Sequence, residues 1–438
     1  MLTYHRILVF WKPLVATWIM MSVEVPFLSA VIARLPDTKE NLAAFGVAYS
    51  FALIFEAPIL MIMSSSATLV RDKDSFLTLR NFTYALNGVI TLLMVILLLP
   101  PIFYTVTEDL IGFSHDVARL AHMASMILLP WPSTIGYRRF YQGVLIRHNL
   151  TRLVAYGTIV RVVAMAGVAL VLYGLVRIEG VLVGAVALSS GVTLEAFASR
   201  LMARSSVREL TRHGESTTAK TERLTYGFIT LFYYPLALTS VLTMAVHPMV
   251  PFFIGKSRLG MESLAVLPVV NALVSFFRSF GMSYQEVGVV LISDKKEDFV
   301  ALNTFALLLG LGTTGGLFLM TFTPLATLWF YHLSGLSKEL ASLAISSSQW
   351  MVLLPGLTVL LSFQRSLLLI SRQTAPITVA TILEIIGIAG LIIVTIRCFD
   401  MPGAIAAGVG FLIGRLLATA YLCYPFMQIL KARSFIAN

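Results

Sequence analysis

Residues 233–303 repeat residues 11–81 at a constant offset of 222 positions without a gap. Pro13-Leu14-Val15-Ala16-Thr17 falls on Pro235-Leu236-Ala237-Leu238-Thr239, Pro26 on Pro248, Leu42-Ala43 on Leu264-Ala265 and Phe55 on Phe277. The polar joint Arg71-Asp72-Lys73 falls on Ser293-Asp294-Lys295, and Asn81 on Asn303. Beyond that the offset drifts by a few residues: Leu128-Leu129-Pro130 matches Leu353-Leu354-Pro355, while Gly180 and Gly191 match Gly403 and Gly414. A chain that repeats in this way must fold as two copies of one unit. Two such helical units facing each other across a pseudo-two-fold axis are expected to hold a substrate site between them, as transporters do.

The repeated unit is a membrane unit. Of all residues 58% are hydrophobic and 12% charged, with a mean hydropathy of +0.86, and no soluble core of this size needs that. The apolar runs are continuous rather than alternating, and a helix needs roughly 20 apolar residues to cross ~30 Å of hydrocarbon. Twelve spans are predicted, at 11–33, 42–69, 82–104, 118–146, 153–176, 180–203, 226–253, 262–292, 299–323, 339–370, 376–397 and 402–429. The expected fold is therefore an all-α integral membrane protein with two six-helix lobes, 1–203 and 226–438, joined by a polar linker at 204–225. The first span carries Glu24 and Pro26 and no small-residue cleavage site, so it reads as a span and not a signal peptide.

Placing both termini and alternate loops in the cytoplasm puts 18 Lys and Arg inside and 8 outside, which is the orientation expected of a protein of the plasma (cytoplasmic, or inner) membrane. This distribution also accounts for most of the +10 net charge. The basic residues sit at loop ends and form no groove-sized domain, so nucleic acid is not an expected partner. The expected partners are a small-molecule substrate and the bilayer, with the chain a monomer. No His-Glu-x-x-His, Gly-x-Ser-x-Gly, Walker or Cys/His metal pattern is present, so no enzyme, metal or organic cofactor is expected. Cys398 and Cys423 fall at opposite ends of their spans, too far apart for a disulfide.

Each ion at bilayer depth costs at least ~2.5–3.5 kcal/mol, so charges inside the spans must face protein or water. Arg138, Arg139 and Arg365 lie at similar depth in the two halves, and guanidinium chelates carboxylate and phosphate in bidentate fashion. They predict a cationic, inward-facing cavity for an anion; as adjacent helical residues, Arg138 and Arg139 diverge by about 100°, so one of the two is expected to reach it. Glu56 and Arg278 occupy equivalent repeat positions, which suggests either a gating ion pair across the two walls or a static pair. Glu24 and Glu286 could exchange a proton or bind Na⁺, the candidate coupling ions, and His247 could titrate near neutrality. Arg161 and Glu195 are expected to snorkel to the cytoplasmic ends, with Arg415 and Glu384 acting as inter-helix glue. Pro26 and Pro248, and Pro130 and Pro355, are expected to interrupt helices at matched places and make the first and seventh spans into gates.

Several stretches also carry a family resemblance. Leu42-Ala43-Ala44-Phe45-Gly46-Val47-Ala48-Tyr49-Ser50 followed by Pro58, Tyr234-Pro235-Leu236-Ala237-Leu238 through Pro248, Glu262-Ser263-Leu264-Ala265-Val266-Leu267, and Gly143-Val144-Leu145-Ile146-Arg147-His148 resemble the progressive ankylosis (ANK) family. That resemblance implies a MATE-like fold of two six-helix lobes around a V-shaped cavity. It further implies export of small polyanions such as citrate, other dicarboxylates, pyrophosphate or nucleotide. A cation-coupled multidrug exporter and a lipid-linked precursor flippase are the alternatives: a cavity dominated by Glu would favour the former, a lateral groove open to lipid the latter.

Overall fold

The structure is a computed structural model. It describes residues 2–111, 113–175, 178–212, 224–255, 257–293 and 296–432, without the side chains of Leu175, Arg212, Ala245, His247, Pro248 and Lys296. Among the described residues every regular element is helical, as it must be where no water is at hand for the backbone.

Among the described residues eleven helices are long and apolar enough to cross a membrane. The remaining span, the fourth, is split into His115–Ile127 and Trp131–Arg147, each too short to cross alone. In the first half the spans are Tyr4–Ile32, Thr38–Leu69, Lys73–Leu97, the split fourth, Thr151–Leu175 and Gly180–Met202. In the second they are Tyr226–Ile254, Gly260–Leu291, Lys296–Phe322, Lys338–Ile370, Ala375–Phe399 and Gly403–Ala432.

The repeat is written into the backbone as well as the sequence. Tyr4–Ile32 and Tyr226–Ile254 differ by 222 at both ends, as do the short segments Ile62–Leu69 and Tyr284–Leu291 that resume the second and eighth spans after a break. The π-helical turns Thr105–Leu110 and Leu328–Leu333 differ by 223. Left-handed backbone recurs in the same register: Asp37 (φ 51) pairs with Leu259 (φ 54), and Asn149 (φ 60) with Arg372 (φ 57). Left-handed residues with a Cβ are uncommon, so their recurrence at matched positions marks turns fixed by the fold rather than by local residue preference.

Pro130 and Pro355 sit where the fourth and tenth spans break and restart, at Trp131 and Leu354. The expectation for Pro26 and Pro248 is corrected: helices Tyr4–Ile32 and Tyr226–Ile254 run through both positions without a break. A proline removes one backbone hydrogen bond, and in each 29-residue helix the hydrogen-bonded turns resume on both sides of that single loss.

The chain divides into two compact units, Ala16–Tyr233 and Met1–Val15 with Tyr234–Asn438. The boundaries fall inside the first and seventh spans rather than at the polar linker, because the start of each helix is anchored by an aromatic side chain. In the second of these units Trp11 Nε1 donates to Ser283 Oγ at 2.8 Å and its ring packs on Phe280 and Phe305. In the other, Tyr233 Oη donates to the Pro58 carbonyl at 2.6 Å and its ring packs on Phe82. Trp11 and Tyr233 are repeat mates. The linker itself begins as a helix, Arg204–Arg212, and its remainder up to residue 223 lies outside the described residues.

Candidate functional site

Each unit holds a cluster of charged side chains, and the two clusters are centred on residues of opposite sign. In the unit Ala16–Tyr233 the centre is Arg161, on the fifth span, with Glu24, Glu195 and Glu56 acting on it. Arg161 Nη2 donates to Glu24 Oε2, Arg161 Nη1 lies 3.6 Å from Glu195 Oε2, and its guanidinium stands 5.3 Å over the ring of Trp131. Arg138 Nη1 donates to Glu195 Oε2, while Glu195 Oε1 accepts from Gln142 Nε2 and Thr158 Oγ1, each at 3.1 Å. Glu56 accepts from Trp131 Nε1 at 2.9 Å and faces Arg139 Nη2 at 3.8 Å.

Three guanidinium groups thus meet three carboxylates, and all six residues are buried. A buried charge is tolerated when it is paired and hydrogen-bonded; here each guanidinium has a carboxylate neighbour, although Glu24 Oε1, Arg161 Nη1 and the Nε atoms of Arg138, Arg139 and Arg161 find no hydrogen-bond partner among the described residues.

In the other unit the centre is Glu384, on the eleventh span, and the groups around it are Arg278, Arg365 and Arg415. Arg415 Nη2 pairs with Glu384 Oε1 at 2.9 Å. Arg365 Nη2 donates to Thr381 Oγ1 at 3.1 Å. Arg278 lies in the field of all three charged neighbours, and its Nε finds no acceptor among the described residues. Among the described residues one carboxylate stands among three guanidinium groups, an excess of two positive charges. By surface exposure these three arginines are less enclosed than Arg138, Arg139 and Arg161, which are 2%, 7% and 3% exposed.

The inversion follows the repeat. Gly191 packs against the Arg161 carbonyl and Met165, and its mate Gly414 packs against the Glu384 carbonyl and Ile388 in the same way. That common contact makes Arg161 and Glu384 equivalent. Glu56 and Arg278 are equivalent at the offset of 222, and Gln142 corresponds to Arg365. The central charge and one of its partners have changed sign between the halves, and a neutral partner has become cationic.

The residues singled out from the sequence divide accordingly. Arg278 and Arg365 come together, joined by Arg415 and Glu384. Arg138 and Arg139 do not stand as open cationic groups: each has a carboxylate of its own unit, Glu195 and Glu56. Glu56 and Arg278 each find their charged neighbours within their own unit. Arg161 and Glu195 do not snorkel; at 3% and 0% exposure they are the middle of the neutral network, because neighbouring carboxylates and amides on the first, fourth and fifth spans supply partners closer than the membrane surface. Glu24 is paired with Arg161, and Glu286 is buried on the segment Tyr284–Leu291. The side chain of His247 lies outside the described residues. Trp131 escaped the sequence reading, although its place between Pro130 and Pro132 at a repeated helix break was a signal that its side chain is fixed.

Among the described residues no group of three or more His, Cys, Asp or Glu could hold a metal ion. Cys398 and Cys423 are free.

Residues 1–263 match the progressive ankylosis protein (ANKH) family. No curated protein sequence matches the chain. Among solved structures, a MATE protein in the bent conformation is similar at 16% identity and a TM-score of 0.73, over 98% of this chain and 96% of that one. A eukaryotic MATE transporter is similar at 15% identity and a TM-score of 0.73, over 98% of each chain. A MOP superfamily transporter from Pyrococcus furiosus, described by the reverse polarity of its binding pocket, is similar at 15% identity and a TM-score of 0.72, over 98% of this chain and 96% of its own. At these identities the likeness is one of fold: the chain has the fold of the MATE transporters.

Proposed function

The chain belongs to the progressive ankylosis protein family, and from that premise we propose that it is an alternating-access exporter of small organic anions or phosphate compounds, of the class of citrate, other dicarboxylates, pyrophosphate and nucleotide. The observation that carries this reading is the excess of positive charge at Arg278, Arg365 and Arg415 around the single carboxylate of Glu384. Guanidinium stays charged at any accessible pH and offers forked donors to carboxylate and phosphate. An anion entering this cluster gains partners that the protein itself does not provide.

The neutral network around Arg161 holds its helices together, and a coupling ion would act through it. Protonating Glu24, or placing Na⁺ on it, competes directly with Arg161 for the same carboxylate; Glu286 is the second candidate. H⁺ or Na⁺ is therefore the coupling ion of this reading, with no other cofactor and no catalytic chemistry. The chain would work as a monomer in the plasma membrane with both termini in the cytoplasm, as the distribution of Lys and Arg favours. A cation-coupled multidrug exporter would use Glu24, Glu56 and Glu195 to attract a cationic substrate, but Arg138, Arg139 and Arg161 already neutralise those three.

The test is transport by the purified protein in vesicles, with citrate, pyrophosphate and an organic cation compared at equal concentration. Movement of one or both anions without the organic cation is expected. Movement of the organic cation alone would overturn the reading.

A further inference from the structure

A second group of arginines lies at one end of the unit Ala16–Tyr233, away from the network around Arg161. Three neighbouring helices carry it: Arg80 and Tyr84 on the third span and Tyr137 and Tyr141 on the fourth, each pair four residues apart and so on one face, with Arg200 near the end of the sixth span. The Arg80 guanidinium lies 5.8 Å from the Tyr84 ring centroid, and that of Arg200 4.8 Å from the Tyr141 ring centroid. The rings make one aromatic surface: Tyr84 stacks on Tyr137 at 5.8 Å, Tyr137 packs on Tyr141 at 4.9 Å, and the hydroxyls of Tyr84 and Tyr141 are hydrogen-bonded at 3.0 Å. Arg80 donates only to the neutral Asn81 amide oxygen, at 3.0 and 3.3 Å. Among the described residues neither Arg80 nor Arg200 pairs with a carboxylate.

A lipid-facing feature adjoins this pair of charges. From Tyr84, which is 39% exposed, the third span presents an apolar stripe of Gly88, Val89, Leu92 and Leu93, all exposed. Gly88 forms an open shelf in it, for an added Cβ there meets nothing within 4 Å. Two uncompensated guanidinium groups on aromatic faces, continuous with an apolar track along the helix, match a molecule with an anionic head and a long hydrocarbon tail.

We propose that Arg80, Tyr84, Tyr137 and Arg200 form a binding site for the headgroup of an anionic phospholipid, with an acyl chain lying over Gly88 and along the third span. Basic pockets between membrane helices recognise such headgroups by charge, and tyrosine hydroxyls at that depth supply a donor to the phosphate ester. Free phosphate would satisfy the guanidinium groups but leave the track unused. The inference stands apart from the transported substrate, since it uses none of the residues around Glu384.

Native mass spectrometry of the purified full chain tests it, with phosphatidylglycerol, phosphatidylcholine and inorganic phosphate as probes. Phosphatidylglycerol is expected to bind about 10–30-fold more tightly than phosphatidylcholine, inorganic phosphate is expected not to displace it, and the Arg80→Gln, Arg200→Gln double variant is expected to lose the preference. The melting temperature of the double variant in phosphatidylcholine nanodiscs is the control for folding. Should that variant fold poorly, Gly88→Trp fills the shelf without touching either charge, and is expected to reduce retention of the long-chain lipid. Equal binding of the two lipids, displacement by inorganic phosphate, or a preference unchanged in whichever variant folds would overturn the proposal.

Discussion

Replacing Glu195 by Gln preserves shape and keeps a side-chain acceptor for Gln142 and Thr158, but removes the charge that holds Arg138. Arg138 is 2% exposed, so its guanidinium is left in the core without a counter-ion, and the network passes from three charges of each sign to an excess of one positive. Breaking a buried pair from one side costs about 3–5 kcal/mol. For a unit of this size roughly 2–4 °C is lost per kcal/mol, which gives a fall of about 6–20 °C in melting temperature. The companion variant Arg138→Met, Glu195→Gln removes one charge of each sign, leaving Arg161 with Glu24 and Arg139 with Glu56. It is expected to recover more than half of the loss, because the cost lies in imbalance rather than in the absence of a bond. The assay is thermal unfolding of purified protein in one detergent, with parent, both single variants and the double variant compared. A double variant that melts at the sum of the two single losses, or a Glu195→Gln protein that melts with the parent, would refute the reasoning.

Trp131→Phe keeps the ring near Arg161 but removes the 2.9 Å donor to Glu56; a hydrogen bond to a charged group is worth about 1.5–3 kcal/mol, and chemical denaturation should register that loss. Gly288 packs so closely on Ser366 that a side chain there would collide with it, while in the first half the repeat mates are reversed, with Ser66 against Gly143. Gly288→Ser should therefore destabilise by about 1–3 kcal/mol through overpacking, and adding Ser366→Gly, which copies the first-half arrangement, should restore most of it. A double variant no more stable than Gly288→Ser alone would separate the two contacts. Tyr233→Phe removes the donor to Pro58 and should cost about 0.5–1.5 kcal/mol by the same denaturation assay.

The repeat made the fold legible because membrane helices are long, continuous in composition and punctuated by the same residues twice. Leu42-Ala43 and Leu264-Ala265 mark equivalent places in both halves, and the backbone follows them; at the fourth and tenth spans the helices restart with an offset of 223, so the mate of Pro355 is Pro132 rather than Pro130, each the second residue of its helix. Three things were not legible. The extent of the third span, which starts at Lys73, is set by the capping box in which the Asp72 side chain accepts from the Ser75 amide, well outside the apolar stretch. The linker helix Arg204–Arg212 has a polar sequence that reads as a tether. The depth of Arg161 and Glu195 was misread because distance from a helix end predicts snorkelling only when no partner lies nearby, and Thr158, Gln142 and Glu24 come from separate stretches of chain.

For the candidate site, Glu56 opposite Arg278 in the alignment already disclosed a change of sign between the halves. Carrying the offset through to Arg161 and Glu384 would have disclosed the second. What the sequence could not supply was the local balance: Arg138 and Arg365 look alike on a helix, and only the packing gives the first a carboxylate and leaves the second with the hydroxyl of Thr381.

The most direct measurement changes the charge around Glu384 in both directions and reads transport of citrate or pyrophosphate, whichever moves, in vesicles. Arg365→Gln removes a positive charge and is expected to lower kcat/KM for the anion roughly 10–100-fold, the worth of one charge-assisted hydrogen bond. Glu384→Gln releases Arg415 from its 2.9 Å pair and is expected to lower KM for the same anion, with melting temperatures confirming that both variants fold. Anion transport indifferent to both substitutions, or an organic cation whose transport improves in Arg365→Gln while no anion moves, would contradict the account.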